Sequence, residues 1–198
     1  MEVNEAIKSR RCVRKYKPDK VSMHLVAKIL DAARFAPSAG NTQNWWFVIV
    51  TDIEQKKRIA EASANQLWMT TAPLYIVICN DYKRLVELYG ASGKMFSIQD
   101  CAVIATYIML LAKENNLDTC WVGSFDPEKV QKILKLPEHI DPEIILTIGY
   151  SDELKVKDAV RNEIEDMTFF NAWGDKEHTE PKPKLKDKLK SLKSLVKR

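Results

Sequence analysis

The segment Phe96 to Asn115 (FSIQDCAVIATYIMLLAKEN) is apolar almost all the way round a helical circumference. A surface helix shows one apolar stripe; a helix apolar on every side must be covered on every side. The segment therefore predicts a central buried helix, and the rest of the chain has to supply its cover. Its uninterrupted apolar stretch runs only from Cys101 to Ala112, counting Thr106. That is short of the roughly 20 residues that span a bilayer, so no transmembrane segment is expected. A helix this apolar is also more than the surface of one small domain tolerates, which points to a homodimer.

The flanking sequence reads as short strands and helices. Val3, Ala6 and Ile7 have helical spacing, and Ser22 precedes a second helix with Val26, Ile29, Leu30 and Ala33 on its inner face. Trp45–Thr51, Leu74–Cys79, Thr119–Gly123 and Ile144–Tyr150 read as strands, the first of them buried. Asp52 starts a polar helix reaching about Ala64, and Asp126-Pro127-Glu128 is a cap, a proline and an acid in sequence, a strong helix start. Gly90 and Gly93 mark a loop, and Asn115-Asn116 stops the central helix. The order is not a regular βαβ ladder, so the fold class is α+β.

At 198 residues, 45% hydrophobic and 29% charged, the chain suits one ordinary domain. The formal charge of +4 is uneven: residues 175–198 hold eight Lys and one Arg against four acids, leaving the remainder near neutral. The expected division is a domain over 1–174 and a basic tail over 175–198, possible as a helix through Leu185, Leu189, Leu192 and Leu195 or as a solvated terminus. The tail's charge suits an acidic surface; a near-neutral body disfavours nucleic acid. The start, MEVNEAIKSRRC, holds no apolar leader, so the cytoplasm is the expected compartment.

Much familiar chemistry is missing from the pattern. The six glycines build neither GxGxxG nor GxxxxGK, the three histidines sit in no nucleophile motif, and the four cysteines form no CxxC pair. No metal site or disulfide scaffold is indicated. Chemistry carried by a bound cofactor is the remaining enzymatic route.

Two clusters stand out. Arg10, Arg11 and Arg14 place three guanidiniums within five residues. They repel one another unless solvated or paired with an anion, and an arginine fork matches phosphate oxygens bidentately. Pro37-Ser38-Ala39-Gly40-Asn41-Thr42-Gln43 is a run of small and turn residues before a strand. It reads as an ordinary turn, or as a loop that lets a ligand approach the backbone while amides meet a heteroaromatic edge. Together the two are more specific than either alone.

With these residues in place, the chain resembles the nitroreductase family, the FMN-dependent NAD(P)H oxidoreductases. Ser9-Arg10-Arg11-Cys12-Val13-Arg14-Lys15-Tyr16 is similar to the family's opening motif. Ala36 to Gln43, followed by Trp45 and Phe47, is similar to the second, and Thr119-Cys120-Trp121-Val122-Gly123-Ser124-Phe125 to the third. Arg161 to Met167 with Trp173 resembles the closing segment.

The resemblance implies a mostly antiparallel sheet flanked by helices, in a dimer around a buried central helix. It also implies FMN as cofactor and NAD(P)H as electron donor. By the same resemblance, Arg10, Arg11, Cys12 and Arg14 hold the FMN phosphate and ribityl chain. Pro37, Ser38, Ala39, Gly40, Asn41 and Gln43 line the flavin from the partner subunit. Asn65 offers an amide, Val122, Gly123 and Ser124 bring backbone to flavin N5, and Arg161 is a late phosphate ligand. No side chain is assigned as catalytic, since flavin N5 carries the chemistry. Two positions depart from the family pattern: Cys12 stands where serine is usual, and Asn44 where proline is common.

Trp68, Phe96 and Trp121 are candidate walls of the substrate slot, though large aromatics more often serve as core. The expected reaction moves electrons from NAD(P)H to a flat small-molecule acceptor, a nitroaromatic or quinone, by a ping-pong mechanism at one flavin face. The alternatives are a flavin-cleaving or dehalogenating relative, and a non-catalytic basic adaptor.

Overall fold

The computed structural model describes residues 1–153 and 160–176. The expected tail from 177 onward, with its leucine-spaced segment, lies outside the described residues. The chain divides into two compact units, Met1–Val156 and a second beginning at Lys157.

In the first unit the elements run α1 (Val3–Ser9), α2 (Met23–Ala33), β1 (Trp45–Val50), α3 (Ile53–Ala62), β2 (Leu74–Asp81), α4 (Lys83–Tyr89), α5 (Ser92–Glu114), β3 (Asp118–Val122), α6 (Pro127–Leu134) and β4 (Ile140–Gly149). The four strands form one sheet in the order β1-β2-β4-β3, each neighbouring pair antiparallel. Side chains alternate across β2 as the pleat requires. Leu74, Ile76 and Ile78 face a cluster containing Val26, Ile29, Ile104 and Ile108 of α2 and α5. Tyr75, Val77 and Cys79 face the opposite cluster, with Ile59 of α3 and Val130 of α6. The architecture is α+β with an antiparallel sheet, as the sequence indicates.

Local signals explain several boundaries. Asp52 and Asp126 accept hydrogen bonds from the N–H groups of Gln55 (2.8 Å) and Lys129 (3.1 Å), so both caps form as expected. Asn115 caps α5 and Asn116 turns left-handed at φ +59°, ending the helix.

α5 is the central helix. Cys101, Ile104, Ala105, Ile108 and Ala112 are fully buried on its inner side. By length and composition it could cross a membrane, but here that inner side packs on the sheet and α2. Its other side is left open by the described residues: Met95 (53%), Ile98 (42%) and Tyr107 (39%) are exposed.

Two expectations need correction. Gly90 and Gly93 do not bound a plain loop. Residues 83–89 form α4, and Gly93 lies inside the first turn of α5. A Cβ on Gly93 would fall 2.2 Å from Leu85 O and 2.4 Å from Val86 N. The glycine is there so that the two helices can touch backbone to backbone. The strand at Trp45–Val50 is not a buried one either. It is the sheet edge, with Trp46 59% exposed, because no other strand among the described residues lies beyond it.

In the second unit, α7 (Ile164–Met167) is followed by the rings of Phe169 and Trp173, 4.5 Å apart, and Lys176 Nζ lies 4.2 Å from the Phe169 ring.

Candidate cofactor site

The basic segment after α1 is laid along β3. Cys12 forms a parallel bridge with Thr119, and the Val13 N–H donates to Thr119 O (3.1 Å). Val13 and Tyr16 are buried anchors; the Tyr16 hydroxyl bonds to Thr147 Oγ1 at 2.8 Å. Alternation between anchors and charges leaves Arg14 exposed and Arg10 and Arg11 half-buried at the surface. Arg11 Nη1 donates to the carbonyls of Lys8 (2.6 Å) and Arg10 (2.9 Å), while the Arg14 N–H donates to Glu153 Oε1 (2.6 Å). Arg10 Nη1 lies 3.9 Å from Cys12 Sγ. Hydrogen bonds from Cys120 and from the Trp121 N–H, with the Arg10 charge, hold the Cys12 thiol well below its ordinary pKa despite partial burial.

This cradle gathers further candidates. The Arg14 guanidinium sits over the Trp68 ring at 5.7 Å. Just before Trp68, Asn65 turns left-handed at φ +57° and is exposed, and Gln66 Nε2 donates to Ser124 O (3.4 Å). Gln66 was missed from sequence, because its role depends on that contact across the fold. Val122 is buried, while Gly123 and Ser124 emerge exposed from the end of β3. Arg10, Arg11, Cys12, Arg14, Asn65, Trp68 and Val122–Ser124 thus belong to one side of the molecule, around β3.

The small-residue loop is elsewhere. It leads into β1, at the opposite edge of the sheet. Pro37, Asn41 and Gln43 are exposed, and Ser38 and Ala39 half-buried. Gly40, Asn41 and Gln43 take φ of +57°, +53° and +48°. Ser38 Oγ accepts from the Gln43 N–H (3.0 Å), and Asp100 Oδ1 of α5 accepts from the Ala39 N–H (3.0 Å). Tyr89 covers Gly40 so closely that a Cβ there would lie 2.7 Å from its hydroxyl. The Tyr89 ring meets Phe96 edge-on at 5.3 Å.

Asn44, the departure noted above, is buried. Its Nδ2 donates to Asn80 Oδ1 (3.3 Å) and Ser97 O (3.5 Å), and Asn80 passes a bond to Glu143 Oε1 (3.0 Å). The loop is therefore anchored by polar contacts to α5, β2 and β4. Burial raises the Glu143 carboxyl above its ordinary pKa. A cleft of about 450 Å³ opens beside Gly123, with Lys94, Asp141 and Glu143 on its walls.

The three candidate slot rings have different neighbours. Trp68 packs on Arg14 and the α3–α6 face, Phe96 on Tyr89, and Trp121 on the α2–α5 face with its indole beside Gly123. Arg161 belongs to the second unit, where it is exposed and its Nη1 donates to Val160 O (3.0 Å). Among the described residues no cluster of His, Cys, Asp or Glu could hold a metal ion.

The nitroreductase family model matches residues 7–69 and 64–150. A curated relative from Methanothermobacter thermautotrophicus, whose name pairs NADH dehydrogenase with NAD(P)H nitroreductase, is 34% identical over 157 residues, covering 77% of this chain and 79% of its own. A Bacillus subtilis protein named FMN reductase [NAD(P)H] is 27% identical, over 78% and 69% of the two chains. Among solved structures, an FMN-dependent nitroreductase from Clostridium difficile R20291 superposes with a TM-score of 0.74 at 30% identity, over 86% of this chain and 99% of its own. A family model spanning the cradle, the small-residue loop and the end of β3 covers most of the chain. The chain belongs to the nitroreductase family.

Proposed function

We propose that this chain is an FMN-dependent NAD(P)H oxidoreductase whose cofactor site is completed by a second copy of itself. The observation that carries this is the placement of the two binding clusters at opposite edges of one sheet. Neighbouring strands lie about 4.8 Å apart, so the outer strands of four are separated by roughly 14 Å. A second copy can bring its own loop to the cradle. Among the described residues, the exposed Met95, Ile98 and Tyr107 of α5 and Trp46 on the edge strand β1 fit such an interface.

The donor set fits FMN. Arg10, Arg11 and Arg14 match a phosphate dianion in charge and fork geometry. The left-handed turns at Gly40 and Asn41 bring backbone close to a flat ring, and Asn41 and Gln43 offer both donors and acceptors to its mixed edge. Asn65 adds an amide beside the cradle, and Gly123 and Ser124 offer backbone N–H groups at the end of β3. Arg161 is proposed as the late phosphate ligand. When bound, FMN supplies hydride acceptance from NAD(P)H and electron delivery to a second substrate. The chain's part is to hold the cofactor, to place N–H donors where negative charge develops, and to leave one flat slot open. Trp68, Phe96 and Trp121 are the proposed walls, Trp121 being the one beside Gly123.

No second nucleotide motif exists, so donor and acceptor use that slot in turn. The acceptor is a flat aromatic such as a nitroaromatic or quinone. Steady-state kinetics with NADH or NADPH against such acceptors test this: parallel double-reciprocal lines are expected, and intersecting lines contradict a shared slot. Removing residues 181–198, beyond the matched motifs, leaves flavin content and line pattern unchanged on this reading and weakens only binding to anionic vesicles.

A further inference from the structure

A β-bulge brings one carboxylate to the buried root of the small-residue loop. Ile78 lies opposite Ile144 and Cys79 opposite Pro142, so Glu143 is the extra residue between them. Such a bulge re-aims a side chain that strict alternation would send elsewhere. Glu143 Oε1 accepts from Asn80 Nδ2 (3.0 Å), and Asn80 Oδ1 accepts from Asn44 Nδ2 (3.3 Å). Asn80 is fully buried and Asn44 nearly so. Asn44 Nδ2 also donates to Ser97 O of α5 (3.5 Å), and the Asn44 carbonyl accepts the Asp81 N–H (2.9 Å).

Chemistry fixes the direction of this chain of bonds. A carboxylate accepts hydrogen bonds and donates none. Glu143 therefore holds the Asn80 amide with Nδ2 towards itself and Oδ1 towards Asn44. Turning the Asn44 amide over would set its oxygen against two acceptors, Asn80 Oδ1 and Ser97 O. Asn44 Oδ1 has no hydrogen-bond partner among the described residues, so the side chain is held through Nδ2. The residue before Asn44 is Gln43. Gln43 and Asn41 both take left-handed backbone, at φ +48° and +53°. Non-glycine residues there cost free energy and persist only where the surroundings over-determine them. Asp100 fixes the loop at Ala39; Glu143 and Asn80 fix it at Asn44.

We propose that Asn80 and Glu143 are positioning residues for the cofactor: through Asn44 they hold Asn41 and Gln43 in the turn that presents their amides to FMN. The proposal rests on the reading of this loop as part of a flavin site. It assigns a role to two residues of β2 and β4 that lie outside the loop and the arginine cradle.

The test reverses the polarity of the chain of bonds in the full-length protein. In Asn80→Asp, position 80 can no longer donate, and two carboxylates face each other. Adding Glu143→Gln supplies a donor from position 143, while Asp at 80 still accepts from Asn44. Two readouts are taken: FMN affinity by fluorescence titration, and hydrogen exchange of the peptide over residues 38–44 in flavin-free protein. Asn80→Asp should weaken FMN on the order of ten-fold and speed exchange of the Gln43 N–H, which donates to Ser38 Oγ. The double variant should return both towards wild type. Glu143→Ala, at a half-buried position, should act in the same direction as Asn80→Asp, and Glu143→Gln alone, which keeps an acceptor, should stay near wild type. This second pair carries the test where a charge at position 80 prevents folding. Ile29→Ala, a core truncation in α2, should lower the melting temperature and leave FMN affinity in place, which separates positioning from general destabilisation. The proposal is overturned if wild type binds FMN and Glu143→Ala changes neither affinity nor loop exchange. It is equally overturned if the double variant regains thermal stability but not FMN affinity. A wild-type chain that takes up no FMN overturns the flavin reading, and the cofactor role with it.

Discussion

Asp100, in the middle of the apolar helix α5, accepts the Ala39 N–H at 3.0 Å and so ties the small-residue loop to the core of the fold. Its second oxygen is buried with no hydrogen-bond partner among the described residues. One carboxylate thus does two opposing things. It satisfies a loop donor, and it carries charge into a poorly solvated position.

The two effects separate by substitution. Asp100→Ala strands the Ala39 N–H and should destabilise the protein by about 1–3 kcal/mol in urea unfolding. Asp100→Asn keeps an acceptor and removes the charge. Burial raises the Asp100 carboxyl above its ordinary pKa, against the Ala39 hydrogen bond that lowers it. The folded state therefore holds this proton more tightly than the unfolded chain does. Its stabilising contribution is complete below the ordinary carboxylate range and is lost as pH rises through the raised value. Asp100→Asn should match wild type in acid and become progressively the more stable of the two towards neutral pH. Glu143 titrates in both proteins and cancels in the difference. A difference that shrinks as pH rises would contradict this account.

Gly40 combines a left-handed backbone with the Tyr89 hydroxyl on its open side. Gly40→Ala should cost about 1–2 kcal/mol for the backbone alone, with a further loss from contact. Adding Tyr89→Phe should recover the contact part and not the backbone part. Full recovery in thermal unfolding would show that the left-handed turn carries no strain.

Arg14 is the exposed arginine of the cradle, and its guanidinium stacks on Trp68. Arg14→Ala should weaken FMN by about 1.5–3 kcal/mol, roughly ten- to 150-fold. Riboflavin, which lacks the phosphate, should be affected much less. Fluorescence titration of both ligands checks this. Equal losses would move Arg14 away from the phosphate.

Much of this was legible in the sequence, and the reasons are local. Asp52 and Asp126 announce helices because a cap acts within three residues. The apolar run of α5 announces a core helix because burial follows composition. α4 was hidden because Gly93, which looks like a breaker, is required by the backbone of Leu85 across a helix contact that no local pattern encodes. Trp46 reads as buried by hydrophobicity, yet it lies on an edge strand that the described residues leave uncovered. The site motifs were visible as residue types, but their distribution over two sheet edges is a property of strand order. Gln66 against Ser124 likewise arises only when distant segments are brought together.

The central claim is that one flavin site takes its cradle from one copy and its loop from another. Hybrid dimers test it directly. Arg14→Ala and Gly40→Val chains, carrying different tags, are each measured for FMN binding, then co-expressed and purified as the mixed pair. A shared site predicts that each variant alone binds FMN weakly, while the hybrid regains one tight site, formed by the intact cradle of one chain and the intact loop of the other. A hybrid with no tight site, or a tight site in a monomer, would contradict the account.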